Sequence, residues 1–449
     1  MSRLFGTDGV RGIANSELTP ELAFNLGKAG AYVLAKSKIK PIVVIAKDTR
    51  ISGDMLEDAI SAGILAMGGN VMKVGVLPTP AVAYLTKYFK ADAGVVISAS
   101  HNPFEYNGIK FFNSEGFKLE DDIEDEIEDI ILRNIDVNSH ITGEKLGKCI
   151  ECEDDAMDLY AKFLESTIDI RLDGMKIAID CANGASYKVA EKVLSDLGAK
   201  VIAIHNEPNG LNINEASGST HPQILQQVVI KEKADIGLAF DGDADRLIAV
   251  DENGDLVDGD KLLYICTKML KNDGVLENDK VTATVMSNIG FYQAVEAIGC
   301  SVDTTAVGDR YVLESMVKTG CVIGGEQSGH IIFLNFSTTG DGILSGLQVL
   351  RAFKMDGRTV SEMASEVTIY PQVLINAIIK NENKKKYMSH PEIKVEIEKI
   401  NLLMAGEGRV LIRPSGTEPL VRVMIEGKDR MLIKKLAEEL AVLITRHLG

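Results

Sequence analysis

Short, almost unbroken apolar runs recur along the chain with helix-length segments between them, and this rhythm constrains the fold more than any other feature. Residues 42–46, 71–75 and 93–97 form a first group, 175–180, 201–205 and 236–240 a second, and 281–285 with 302–305 a third. Strands covered on both faces by crossover helices read in this way, since neither face alternates toward water. A Thr19-Pro20 start, with proline at the first helical position, predicts a helix to about Lys36, and the acidic stretch 120–129 predicts a solvated helix face. A further helix is expected near 261–269, and Gly324-Gly325 reads as a turn. Beyond about Pro371 the order changes to strand (373–379), helix (392–402), strands (409–412 and 421–426) and a final amphipathic helix. The expected fold class is therefore α/β, with three similar α/β domains and a smaller C-terminal α+β domain. Boundaries are placed at 1–153, 154–254, 255–368 and 369–449.

At 449 residues, several cores are expected, and 45% apolar against 25% charged residues is the balance of a folded chain. No apolar run reaches the roughly 18 residues a membrane span needs, and the N-terminal stretch carries Asp8 and glycines, so a cytoplasmic location without membrane contact is expected. The formal charge of −17 argues against a nucleic-acid or anionic-membrane partner but permits a small basic pocket for a phosphorylated metabolite. Six scattered cysteines do not form a disulfide framework. Cys149 and Cys152 match C-x-x-C spacing, but no second pair completes a zinc site and the acidic neighbours should raise their thiol pKa values.

Four polar loops carry chemistry, each leaving a strand, where open α/β sheets place their ligands. In 97–103, Ile-Ser-Ala-Ser-His-Asn-Pro, a strand-end loop can present the Ser100 hydroxyl, although Asn-Pro and serine also make ordinary turns. In 241–246, Asp-Gly-Asp-Ala-Asp-Arg, three alternate carboxylates repel one another unless a cation sits among them. An EF-hand wants glycine at the sixth position, where Arg246 stands, and flanking helices instead of apolar strands, so magnesium is favoured over calcium. A solvated acidic turn is the plain alternative. In 324–330, Gly-Gly-Glu-Gln-Ser-Gly-His, the Glu, Ser and His suit sugar hydroxyls, though glycines license turns everywhere and a lone His330 is more often structural. In 413–419, Arg-Pro-Ser-Gly-Thr-Glu-Pro, with Arg422 beyond, arginines, hydroxyls and backbone N–H groups make a phosphate cradle or a surface hairpin turn.

In this order, the four motifs resemble the α-D-phosphohexomutase family over the entire chain, as do residues 5–12 and the stretch Gly308-Asp309-Arg310. Gln327 and Ser98 look like the amino-sugar branch of that family. The resemblance implies four domains in a heart shape around a central cleft, with mixed sheets in the α/β domains and one loop from each domain in the site. Ser100 would carry phosphate, and Asp241, Asp243 and Asp245 would bind one Mg²⁺ per subunit together with an oxygen on Ser100. Arg246 and His101 would stand by the phosphoserine. Glu326, Ser328, Asp309 and Arg310 would hold the sugar, while Arg413, Ser415, Gly416, Thr417 and Arg422 would hold the phosphate not being transferred. Lys110, His330 and Arg11 are the remaining catalytic candidates. The implied partner is a small hexosamine phosphate, with a bisphosphorylated hexose as activator, and the chain would act as a monomer or homodimer.

Other readings stay open at this point: preference for glucose or mannose phosphates, a metal-dependent sugar phosphatase that releases inorganic phosphate, or a calcium-binding module with no use for Ser100.

Overall fold

The structure is a computed structural model of the 449-residue chain. It describes every residue except 1–2, 7, 36–37, 39, 138–140, 385, 405 and 416–417. The chain divides into two compact units, residues 1–286 with 300–365, and residues 287–299 with 366–449.

The larger unit holds three mixed sheets. The first contains β1 (Val10–Ile13), β2 (Ile42–Lys47), β3 (Asn70–Val76), β4 (Ala93–Ile97), β5 (Tyr106–Asn113) and β6 (Cys149–Glu151), in the order β1-β5-β4-β2-β3-β6. Its β2, β3, β4 and β6 run parallel, whereas β5 is antiparallel to both neighbours. The second sheet has β7 (Lys176–Asp180), β8 (Lys200–Ile204), β9 (Ile236–Phe240), β10 (Leu247–Val250) and β11 (Leu256–Val257), in the order β11-β10-β9-β7-β8. β11 pairs with β10 in antiparallel register, Ala249 opposite Val257 and Val250 opposite Leu256. The third has β12 (Lys280–Thr284), β13 (Ser301–Thr305), β14 (Ile323–Gly325) and β15 (Ile331–Phe333), in the order β13-β12-β14-β15.

β4 and β9 are buried at every position, as unbroken apolar runs require. Helices Pro20–Ala35 and Gly53–Ala66 cover the first sheet, with Leu26, Leu56, Ile60 and Ile64 inside its core. Gly324 and Gly325, expected as a turn, are strand residues paired with both β12 and β15. A Cβ on Gly324 would stand 2.7 Å from Met316 Sδ, so close packing, not turning, explains this glycine.

In the smaller unit, β16 (Gln372–Ile378), β17 (Gly408–Pro414) and β18 (Leu420–Gly427) form an antiparallel sheet in the order β16-β18-β17, packed on helices Pro391–Met404 and Arg430–Leu448. Asp429 caps the last helix by accepting from the Met431 and Leu432 amides. Among the described residues no helix is long and apolar enough to cross a membrane. The cysteines are unpaired, and burial followed by nearby carboxylates raises the thiol pKa of Cys149 and Cys152.

Candidate active site

Two strand ends meet in the larger unit. β4 delivers Ser100, which is 1% exposed and has φ 51°, a left-handed conformation that costs a non-glycine residue on the order of 1–3 kcal/mol. β9 delivers Asp241, Asp243 and Asp245, all buried. Ser100 Oγ donates to Asp241 Oδ2 at 2.7 Å and stands 3.4 Å from His101 Nδ1. The approach depends on Gly242, where a Cβ would come within 2.5 Å of the Ser100 carbonyl oxygen.

One ligand oxygen from each aspartate lies within 4.8 Å of the others. Such a cluster is tolerable only with compensating charge. Lys110, in the middle of β5 and 2% exposed, places Nζ 2.9 Å from Asp243 Oδ2 and 2.9 Å from Asp8 Oδ2. Burial acts to discharge this lysine, but Asp243 and Asp8 outweigh it and raise its pKa, so it stays protonated. Thr79 Oγ1 also donates to Asp243 Oδ2, at 2.7 Å. The Arg246 amide donates to Asp241 Oδ1 at 3.2 Å, and Arg246 Nη1 lies 3.3 Å from His101 Nδ1.

His330 sets Nδ1 3.5 Å from Asp245 Oδ2 and accepts from the Gly340 amide on Nε2 at 3.0 Å. With both ring nitrogens engaged inside the protein, it orients Asp245. Burial pushes Asp241 well above the usual carboxylate range, helped by Asp245 and Asp243. Asp245 is held below that range in spite of its burial, through His330, Lys110 and Arg246. Two buried oxygens, Asp243 Oδ1 and Asp245 Oδ1, have no hydrogen-bond partner among the described residues, although Arg246 Nε stands 3.8 Å from the latter. Orphaned carboxylate oxygens in a buried cluster are what a hard, oxygen-seeking cation requires, and the residues present therefore fit a metal ion.

His101 is pushed toward its neutral form by burial, then by Arg246 and Arg11. Arg11, on β1, pairs with Asp8. Asp8 in turn accepts from Lys118 Nζ at 2.7 Å, and Lys118 also pairs with Asp309, whose carboxylate lies 3.7 Å from His330 Nε2. Asp309 thereby joins the rim of the cluster. Arg310 does not: its guanidinium reaches Asp121, Glu314 and the Leu119 carbonyl. Glu326 accepts from the Gly308 amide at 3.0 Å and lies close enough to Arg246 to help keep it charged, while Ser328 is exposed. Gln327 is turned to Asp258, 3.4 Å away.

In the smaller unit, Arg413 on β17 stands directly opposite Arg422 on β18. Directly opposed like charges destabilise a strand pair. Arg422 has Glu418 at 3.5 Å, whereas Arg413 has no ion-pair partner among the described residues, and burial followed by Arg422 lowers its pKa. Ser415 is buried and its hydroxyl accepts from the Glu418 amide at 3.2 Å. The expected contributors Gly416 and Thr417 lie outside the described residues.

Sequence reasoning missed Asp8, Lys118, Thr79, Asp48, Arg50 and Asn214. Asp48 and Arg50 follow the end of β2 directly, so the strand-end rule applied there would have found them.

Models of the phosphoglucomutase/phosphomannomutase family match four successive stretches: α/β/α domain I over residues 2–137, domain II over 158–254, domain III over 258–370 and the C-terminal domain over 374–443. The chain belongs to the phosphoglucomutase/phosphomannomutase family. As a phosphoglucomutase/phosphomannomutase homologue it is an enzyme of the phosphomutase, or isomerase, class. Within that family, it is 59% identical over 449 residues to a phosphoglucosamine mutase of Thermoanaerobacter sp. (strain X514). It is 56% identical over 449 residues to a phosphoglucosamine mutase of Alkaliphilus metalliredigens, and each alignment covers 100% of both chains. Its fold is shared with the crystal structure of Aspergillus fumigatus N-acetylphosphoglucosamine mutase in complex with GlcNAc-6P and magnesium. That match has a TM-score of 0.70 and 17% identity, and covers 99% of this chain and 96% of the other.

Proposed function

We propose that the chain interconverts glucosamine 6-phosphate and glucosamine 1-phosphate by way of a phosphorylated Ser100 and a 1,6-bisphosphate. The observation that carries this reading is the Ser100 hydroxyl, buried yet 2.7 Å from Asp241 and set beside two orphaned carboxylate oxygens. Support for the amino-sugar substrate comes from the full-length relatives named phosphoglucosamine mutase.

The metal is taken to be Mg²⁺, held by Asp241, Asp243, Asp245 and an oxygen on Ser100, because an all-oxygen site with few protein ligands suits that ion. When bound, it offsets charge on the transferring phosphoryl group. The protein's own share is alignment and fixed charge, since phosphoryl transfer leaves little covalent work to side chains.

In the first half-reaction, a sugar hydroxyl oxygen bonds to phosphorus, the P–Oγ bond to Ser100 breaks with its electron pair left on Oγ, the hydroxyl's proton leaves to a base, and a proton is returned to Oγ to restore the serine hydroxyl. Neutral His101, 3.4 Å from Ser100 Oγ, is able to accept that proton, whereas protonated Lys110 supplies positive charge. The bisphosphate then turns, and its other phosphate returns to Ser100. Arg413, Ser415 and Arg422, with Gly416 and Thr417, grip the phosphate that is not reacting, the two opposed guanidinium groups gaining an anion between them.

The deciding assay follows glucosamine 1-phosphate formation from glucosamine 6-phosphate, with Mg²⁺ and a trace of glucose 1,6-bisphosphate, and compares kcat/KM with glucose and mannose phosphates. Stoichiometric release of inorganic phosphate, or a higher kcat/KM on glucose or mannose phosphate, would overturn the assignment.

A further inference from the structure

The backbone around Ser100 is held by a network that none of the chemistry above requires. Arg50 is 3% exposed, and its guanidinium uses all five of its N–H donors on protein acceptors. Nε donates to Asp48 Oδ2 at 2.8 Å, Nη1 to the carbonyls of Pro103 and Tyr106, and Nη2 to the carbonyls of Ser100 at 3.0 Å and Asn102 at 2.8 Å. Asn214, from the segment after β8, donates from Nδ2 to the same two carbonyls, Ser100 at 2.9 Å and Asn102 at 3.0 Å. On the other side of the serine, the Ser100 amide donates to Ser98 Oγ at 3.0 Å, and Ser98 Oγ donates to Asp48 Oδ2 at 2.5 Å.

Asp48 thus joins the two halves. The peptide groups before and after the Ser100 α-carbon are both tied to one buried Arg50–Asp48 pair. This matters because φ 51° is a conformation that a serine leaves unless its surroundings over-determine it. A relaxed Ser100 would swing its hydroxyl away from Asp241.

We propose that Arg50, with Asn214 closing on the same carbonyls, is a positioning residue for phosphoryl transfer, fixing both peptide groups beside Ser100 so that its oxygen stays in line with the carboxylate cluster. The inference rests on Ser100 being the phosphoryl carrier. A lysine at position 50 keeps the charge but has three donors on a single point, and cannot reproduce a planar fork that reaches five acceptors. A structural role alone predicts lower stability with normal chemistry in the fraction that folds. A positioning role predicts slow chemistry in fully folded protein.

The experiment compares wild type, Arg50→Lys, Asn214→Ala and Ser100→Ala. Each is incubated with glucose 1,6-bisphosphate and Mg²⁺, phosphate on the residue-100 peptide is followed by mass spectrometry, and kcat, KM and thermal melting are recorded. In the wild type, phosphate should load on Ser100. For Arg50→Lys, loading rate and kcat should both fall by roughly a hundredfold while KM changes by less than about threefold, as expected for a misaligned reacting atom. Asn214→Ala should follow in the same direction and carries the test alone if Arg50→Lys does not fold. Wild-type loading in a folded variant, or a loss confined to KM, overturns this inference and leaves the phosphoserine reading standing. Absence of phosphate on Ser100 in the wild type removes both.

Discussion

Lys110 and Asp243 are 133 residues apart in sequence, yet Nζ and Oδ2 meet at 2.9 Å with both side chains almost wholly buried. Breaking such a pair from one side leaves an uncompensated charge, at a typical cost of about 3–5 kcal/mol. Lys110→Met should therefore lower the melting temperature and depress kcat together, whereas Lys110→Arg should retain more of both. Thermal denaturation beside steady-state kinetics separates the variants, and an unchanged melting point for Lys110→Met would contradict the burial argument.

Replacing Ser100 by alanine should leave the fold and the sugar-phosphate affinity in place while turnover falls to background. Among the described residues, the hydroxyl's hydrogen bond to Asp241 is the only side-chain tie the substitution removes apart from the long contact to His101. Circular dichroism, ligand titration and product formation measured on one preparation suffice. Near-normal turnover would take Ser100 out of the mechanism.

Removal of divalent ions with EDTA should stop activity, and Mg²⁺ should restore it. Metal binding to the native state should also raise its thermal stability, by about 2.7 kcal/mol at a hundredfold excess of free ion over its dissociation constant. That shift should vanish in Asp245→Asn, which replaces an orphaned oxygen donor. Activity surviving in excess EDTA would dismiss the metal reading.

Glu124 provides a pH-dependent test away from the site. Burial raises its pKa to about 7 from the ordinary 4.5, against the opposing pull of Arg310 and Arg3, with Asp121 adding to the rise and Lys118 subtracting. The folded state thus binds this proton more tightly than the unfolded state between roughly pH 4.5 and 7, and stability falls as pH rises through that window. Glu124→Gln should remove the decline, giving a higher melting temperature at pH 8 and little change at pH 4. Screening of this partly buried group by solvent and by the neighbouring Arg3 and Arg310 charges keeps the gain to about 1 kcal/mol or less. A melting difference independent of pH would refute the assignment.

Arg413→Ala should raise KM for the sugar phosphate at least about tenfold, the cost of losing a charge-assisted contact worth about 1.5–3 kcal/mol. It should also relieve the repulsion with Arg422 when no anion is bound, so the substrate-free smaller unit should not lose stability. Calorimetric titration and melting read the two effects separately. Unaltered sugar-phosphate affinity would reject the cradle.

Much of this was legible in the sequence because the strands that deliver Ser100 and the aspartates are buried on both faces and so are written as continuous apolar runs. β5 was not, since Asn107 and Lys110 interrupt its apolar pattern. Their burial is made tolerable by Asp243, Asp8 and Ser52, partners that no local window contains. The same holds for Arg50, whose five acceptors lie on segments that only the folded backbone assembles. β6 is three residues long and exposed at every position, and β1 has four residues of which only Val10 and Gly12 are buried, so neither offered an apolar run. Gln327 served as a marker of the amino-sugar branch, and its side chain faces Asp258.

The lysine beneath the aspartate triad has a further bearing on how the molecule is made. Many small metal domains stay unfolded until their ion arrives, because binding supplies the folding free energy. Here an ammonium group supplied by the chain itself already sits against Asp243, so part of the triad's charge is balanced within the fold and does not wait for an ion.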